Sequence, residues 1–127
     1  MSVALNQETV NDTAKLIMHR LIARRLLRDP SLVAAARQSL AKMAVRFPDR
    51  PFLREWEVIL RRSPKEIAKL LTDRGDKANR LRLSSPFVIA EGIDFTDEAL
   101  RHRIWRAAKR VASGGAAVRR APSAAAQ

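Results

Sequence analysis

The residues that could carry out chemistry in this chain are few and widely separated. Its two histidines, His19 and His102, fall in different predicted helices, and no sequence pattern links them. Glu55 and Glu57 are two positions apart, which puts their carboxylates on different faces of a helix, so they cannot act as a catalytic pair. The sequence has no glycine-rich phosphate loop, no nucleophile elbow, no metal-ligand spacing and no cysteine. We therefore predict a protein that is not an enzyme and uses no cofactor or metal.

The formal net charge of +12 at pH 7 is the strongest global signal. A field of this sign attracts phosphate polyanions or acidic protein surfaces. Nineteen of the 25 basic residues are arginine, a skew that GC-rich coding DNA would also produce. The charge therefore indicates a class of partner without identifying one.

Length and composition favour a single all-α domain. With 127 residues and 46% hydrophobic residues the chain can bury a core, and its richness in Leu, Ala, Arg and Glu favours helix. Residues 1–10 lack the pattern of a secretion signal, and no apolar run is long enough to span a membrane. We expect a cytoplasmic protein with no membrane partner.

Five or six short helices are predicted over residues 9–112. The first, over 9–28 with Asn11 or Asp12 as its N-cap, is apolar around most of its circumference, which is typical of a central helix or of one that packs on a second copy. Asp29 and Pro30 should cap and begin the second helix. Further helices are expected near residues 52–61, 64–71, 76–83 and 96–111.

Local signals define the turns between these helices. Ser63-Pro64-Lys65-Glu66 predicts a capping box at the start of the fourth helix. Gly75 is expected in a left-handed turn, and residues 87–90 as a buried extended connection. After Ser113 the chain is rich in Gly, Ala, Ser and Pro, so we predict that residues 113–127 form a disordered basic tail.

The run Arg80-Leu81-Arg82-Leu83-Ser84-Ser85-Pro86-Phe87 is the most distinctive stretch of the sequence. Its leucines and Phe87 should anchor a turn to the core, while Arg80 and Arg82 point outward. The two serines are suited to bonding nearby backbone in a turn. The predicted partner-binding residues here are Arg80, Arg82, Ser84, Ser85 and Phe87.

Trp105 provides a second candidate contact. It lies at the margin of the apolar stripe of the last helix, beside Arg101 and Lys109. A partly exposed tryptophan flanked by arginine is typical of an interaction hot spot, although a tryptophan lying flat on the domain's own edge gives the same pattern. Arg101 and Trp105 complete the predicted partner-binding set.

A helix–turn–helix is the alternative interpretation. Residues 64–71, a turn through Gly75 and residues 76–83 have about the length of two helices that meet at a corner. Arginine and asparagine on the second helix would suit bidentate contacts with bases in a DNA major groove. The candidate nucleic-acid-binding residues are Lys77, Asn79, Arg80 and Arg82, with Arg103, Arg106 and Arg110 on the last helix.

One pattern in the sequence combines Trp56, Ile59-Leu60, Ser63-Pro64, Ile67 and Leu70-Leu71-Thr72, and it continues with Arg80–Phe87. This pattern resembles a group of small bacterial helical proteins. In that group a tryptophan helix precedes a "leucine-arginine…serine-proline-phenylalanine" run, and its members look like the non-toxic partner of toxin–antitoxin-type gene pairs. The likeness covers about half of the chain and departs from the group at residues 88–92 and in the long basic last helix. It implies a protein that binds a partner protein, either toxin-like or an enzyme, and it leaves open contact with the protein's own promoter DNA. It implies no catalytic residues.

The preferred hypothesis is thus a non-enzymatic, antitoxin-like regulatory protein that binds and masks a partner protein. The alternative is a helix–turn–helix transcriptional regulator. A basic protein that binds RNA is less favoured, because the sequence indicates no exposed aromatic platform for stacking bases. A homodimer and a monomer fit the sequence equally well.

Overall fold

The computed structural model describes residues 7–93 and 95–125, with side chains as far as residue 113. Within these ranges it contains six helices and no strand. The helices are α1 Gln7–Arg28, α2 Leu32–Arg46, α3 Pro51–Ile59, α4 Pro64–Leu71, α5 Asp76–Arg82 and α6 Glu98–Ala125. The prediction of one all-α domain built from short helices is confirmed. Helix α6 continues past its predicted end near residue 111 and overlaps the predicted tail 113–127 as far as Ala125. The side chains from residue 114 onward lie outside the described part.

Helix α1 is the central helix. It packs against α4, α5 and α6, and it buries Val10, Ile22, Ala23 and Leu26. Apolar residues on several faces of one helix allow it to contact several neighbours at once. No helix in the described part of the chain is apolar enough over a sufficient length to cross a membrane.

The centre of the core is aromatic. Trp56 on α3 and Phe87, in the connection between α5 and α6, are both fully buried. Around them pack aliphatic side chains from α1, α2, α4 and α5, among them Ile22, Leu26, Leu32, Leu40, Ile67, Leu71 and Leu81. Burial of each large apolar side chain contributes about 1.5–3 kcal/mol, so this cluster is the main source of stability.

The start of α4 follows its local sequence. Ser63 Oγ accepts a hydrogen bond from Glu66 N at 3.2 Å, and the Ser63 N–H donates to Glu66 Oε1 at 3.3 Å. The predicted capping box is therefore confirmed. Its hydrogen bonds lower the pKa of the Glu66 carboxyl, because they favour the charged form.

Two predicted helix starts are wrong. Asn11 and Asp12 lie inside α1, which begins at Gln7. Helix α2 begins at Leu32, and Asp29 instead accepts a hydrogen bond from the Ser31 N–H at 3.2 Å in the turn before it. At residues 11 and 12 the helical backbone is already established, whereas Asp29 lies in the turn between α1 and α2 and bonds to the backbone of that turn.

Two predicted turns also need correction. Gly75 precedes α5 as its N-cap with φ −69° and ψ 162°, an extended conformation, and its N–H donates to Asp73 Oδ2 at 3.3 Å. Residues 86–90 form turns and not an extended segment, and the Ala90 N–H donates to Phe87 O at 3.2 Å. The left-handed glycine is Gly92, with φ +92°. Its chain reversal turns the connection toward α6.

Candidate interaction surfaces

The segment Arg80–Phe87, predicted as a contact loop, is built into the core. Phe87 is fully buried and Ser85 is buried. Ser85 Oγ accepts from the Phe87 N–H at 3.2 Å, and Ser84 Oγ donates to Leu81 O at 3.2 Å. The serines thus bond to local backbone, the turn-forming role that their sequence favours. Partner binding by Ser84, Ser85 and Phe87 stays a prediction, although burial leaves the side chains of Ser85 and Phe87 little surface for a partner.

Arg82 points inward, and the prediction that it is exposed is wrong. Only 3% of the residue is accessible. Its Nη1 donates to Leu71 O at 3.2 Å and also to Asp73 O, and its Nη2 donates to Asn79 Oδ1 at 3.3 Å. Because residue 82 follows Ala78 by four positions, it shares the buried face of α5. The guanidinium closes the carboxyl end of α4, and burial lowers its pKa.

Arg80 is the one exposed member of this predicted set, and Ser84 is half-buried. Its guanidinium makes two parallel hydrogen bonds with the Glu55 carboxylate, Nη1 to Oε1 at 3.0 Å and Nη2 to Oε2 at 2.8 Å. The same bonds lower the pKa of Glu55. Leu83, expected as an anchor, is 60% exposed. Arg80 therefore ties α5 to α3, a role that leaves fewer of its donors for a partner.

The α4–α5 unit does not present the predicted DNA-contacting face. Asn79 Nδ2 donates to Asp12 Oδ2 on α1 at 3.1 Å, and Arg82 is buried. Arg80 is paired with Glu55, so Lys77 is the one member of the α5 set that is exposed and has no hydrogen bond or ion pair within the described residues. With only seven residues, α5 offers little helix for entry into a groove.

Trp105 lies at the open edge of α6, as its sequence position indicates. The side chain is half-buried, and Lys109 Nζ lies 5.7 Å from the ring centroid. It lines a cleft of about 370 Å³ together with Thr96, Glu98, Arg101 and His102. Arg101 is exposed and has no ion pair in the described part. We call Arg101, Trp105 and Lys109 the Trp105 edge, in which a half-buried tryptophan shares a cleft with Arg101 and has Lys109 over its ring.

The other exposed face of α6 is basic. Arg103, Arg106 and Arg110 are all exposed, and none of the three has a hydrogen bond or ion pair within the described residues. Their spacing of three and four residues places them on one stripe of the helix. The structure thus places three of the predicted nucleic-acid-binding residues on one exposed stripe of α6.

One surface was not predicted. A groove of about 510 Å³ runs between α2 and α3. It is lined by Arg37, Leu40, Ala41, Ala44, Leu53, Glu57, Leu60 and Arg61. The sequence signal for it is a second stripe on α2, in which the small residues Ala41 and Ala44 follow Arg37 at helical spacing. Only the placement of α3 beside that stripe makes it a groove.

His19 is fully buried and is not a ligand in any described cluster. Its Nδ1 lies 2.7 Å from Lys15 O. Because a carbonyl oxygen only accepts hydrogen bonds, Nδ1 carries the proton and donates, and Nε2 is the unprotonated nitrogen of the neutral ring. Nε2 has no hydrogen-bond partner in the described part, and burial lowers the pKa of His19 to about 4. Among the described residues no group of three His, Cys, Asp or Glu side chains could hold a metal ion.

Comparison with known proteins gives no family for the chain. No family model matches it, and neither a curated protein nor a solved structure matches it. Its function has to be argued from its own surfaces.

Proposed function

We propose that this chain is a non-enzymatic, antitoxin-like regulatory protein that binds and masks a partner protein through the Trp105 edge. The observation that carries the proposal is the half-buried Trp105 in an open cleft beside Arg101, with Lys109 over its ring. Tryptophan and arginine are the residue types most enriched among interface hot spots.

The geometry of the edge supports a protein partner. A tryptophan ring buries a large apolar area at low entropic cost when a second surface covers it, while its indole N–H can find an acceptor. Arg101 adds a planar fork of donors that suits a carboxylate. The edge therefore fits an acidic, partly apolar surface, in line with the net charge of +12. On this proposal the protein acts in the cytoplasm.

Affinity capture tests the proposal. The tagged full chain is used on native lysate in two halves, one treated with nuclease, and retained proteins are identified. We expect one stoichiometric protein that survives nuclease and is lost with Trp105→Ala. Leu83→Ala, which removes an exposed apolar side chain far from α6 in sequence, is the control and should retain it. Equal retention of the partner protein by both variants would exclude the Trp105 edge as the binding surface.

The second candidate is binding to nucleic acid through the basic face of α6. Arg103, Arg106 and Arg110 are exposed on one stripe and unpaired within the described residues, as phosphate-contacting residues must be. Such contacts predict that the affinity for duplex DNA falls steeply with salt and depends little on sequence. Replacing one of the three by alanine should lower the salt slope by about 1. If the salt dependence of the affinity were unchanged in all three variants, the basic face of α6 would be excluded as the nucleic-acid-binding surface.

A further inference from the structure

The α2–α3 groove is the surface with the most apolar floor that the described part of the molecule leaves open. Leu40 and Leu60 form its base, and both are buried. Ala41 and Ala44 on the α2 side have only a methyl group, so a neighbouring helix could approach the backbone closely there. Nothing from the described part of the chain fills this space of about 510 Å³.

The walls of the groove are held in place by polar contacts. On one side, Arg37 Nη2 donates to Leu60 O at 2.7 Å, which joins α2 to the end of α3. On the other side, Arg61 Nη2 lies 2.9 Å from Glu57 Oε1, an exposed ion pair one turn apart on the chain. The pair neutralises the one carboxylate that lines the groove. Each guanidinium retains N–H donors for an incoming acceptor.

The surroundings of the groove are strongly basic. A second cleft of about 430 Å³ continues from it along α3 and shares Leu53, Glu57 and Arg61. Its additional lining includes Arg50, Arg54 and the half-exposed Val58. Between residues 32 and 62 the chain has seven basic residues and three acidic ones. An apolar floor between basic walls is the complement of an apolar stripe between acidic flanks.

From this complementarity we infer that the α2–α3 groove binds an amphipathic helix of another protein whose apolar stripe is flanked by carboxylates. The α2 side of the groove runs from Arg37 to Ala44, about 10 Å, so the groove can seat about two turns of such a helix. A second copy of this chain is disfavoured as the occupant because two molecules of net charge +12 repel each other. The inference adds a second contact surface to the proposed partner binding and does not depend on the Trp105 edge.

Three synthetic peptides of about 18 residues provide the probe. The first places leucines at i, i+3, i+4 and i+7 with glutamates on both flanks; the second has the same composition in scrambled order; the third has lysine for every glutamate. Binding of the full chain to each labelled peptide is measured by fluorescence anisotropy. We expect the first peptide to bind at least tenfold more tightly than either of the others. Equal binding of the scrambled peptide would reduce the effect to general charge attraction and overturn the inference, as would equal binding of the lysine peptide.

Matched variants locate the binding site. Ala41→Glu puts a carboxylate into the groove, whereas Gln38→Glu adds the same charge to an exposed position of α2 outside it. Arg61→Glu reverses a wall charge, whereas Arg62→Glu changes the exposed neighbour that does not line the groove. We expect losses of at least tenfold for Ala41→Glu and several-fold for Arg61→Glu, and changes below twofold for both controls.

Equal losses in a groove variant and its control would overturn the inference. Trp105→Ala should leave peptide binding within twofold of the unmodified chain, so failure of the Trp105 edge and failure of the groove give different results. Circular dichroism of each variant confirms that its helices are intact.

Discussion

Trp56 and Phe87 meet edge to face in the centre of the protein, with 6.2 Å between their ring centroids and 68° between their planes. The indole N–H of Trp56 also donates to Ser84 Oγ at 3.2 Å. These two contacts fasten α3 to the segment that follows α5. The serine-proline-phenylalanine run is therefore a structural device that closes the core, and the surfaces available for binding lie elsewhere.

Replacement of Phe87 by alanine should destabilise the protein strongly. It removes a fully buried ring and leaves a cavity beside Trp56, so we expect the free energy of unfolding to fall by about 3–5 kcal/mol. Urea denaturation measures the change. Leu83→Ala, at a position that is 60% exposed, should stay within about 0.5 kcal/mol. Similar losses for the two variants would mean that Phe87 does not lie in the core.

Replacement of Arg82 by alanine should also cost stability, although the residue is charged. Its guanidinium donates to the carbonyl oxygen of Leu71 in a buried bond and to that of Asp73 in a part-buried bond, and the variant removes both. Hydrogen bonds from charged groups suggest a loss of about 2–4 kcal/mol. Arg80→Ala, which breaks only the exposed pair with Glu55, should change stability far less because solvent screens that pair. An equal effect of the two arginines in urea denaturation would contradict the inward position of Arg82.

Acid should destabilise the fold through His19. Burial lowers its pKa from the ordinary value of 6.5 to about 4, so between these values the unfolded chain binds a proton that the folded chain does not. Stability is thus unaffected by His19 above pH 6.5 and falls as the pH decreases toward 4, by up to about 3 kcal/mol.

The check is the unfolding free energy between pH 7 and 4.5. The slope should disappear in His19→Gln and remain in His102→Gln, since His102 is exposed. Glu55 and Glu66, whose carboxyl pKa values are lowered in the fold, add to the slope below about pH 5.5, so the part between pH 7 and 5.5 reports on His19. A slope that persists in His19→Gln would assign the acid sensitivity to another group.

The capping box of α4 should be worth about 1 kcal/mol, since removal of a serine N-cap leaves helix N–H groups without an acceptor. Ser63→Ala deletes the acceptor for Glu66 N. Ser31→Ala is the matched control, because Ser31 stands at the N-cap of α2 without a side-chain capping bond. Thermal unfolding of both variants should show the larger loss for Ser63→Ala, and the reverse order would contradict the capping geometry.

Features encoded by neighbouring residues could be predicted from the sequence. Spacing within single helices indicates the capping box at Ser63 and the all-α class. It also places Trp105 at the margin of the apolar stripe of α6. The start of α2 was misplaced by two residues because Asp29 and Pro30 are equally suited to the turn that precedes it. Local spacing thus locates elements better than it locates their ends.

Features set by packing between helices could not be predicted. Arg82 was expected outside because arginine is usually solvated, but the carboxyl end of α4 provides buried carbonyl groups at that position. The α2–α3 groove exists only because α3 lies beside Ala41 and Ala44. The contacts of Arg80 and Ser84 could not be predicted for the same reason: they bond to Glu55 and Trp56 on α3, 25 and 28 residues away along the chain.

On our proposal the Trp105 edge binds a partner protein. The most direct test of this proposal is the Kd of the partner captured from nuclease-treated lysate, measured for the full chain, for Trp105→Ala and for Leu83→Ala. We predict that Trp105→Ala weakens binding at least tenfold, about 1.4 kcal/mol, while Leu83→Ala stays within twofold. Equal affinity of all three proteins would contradict the claim.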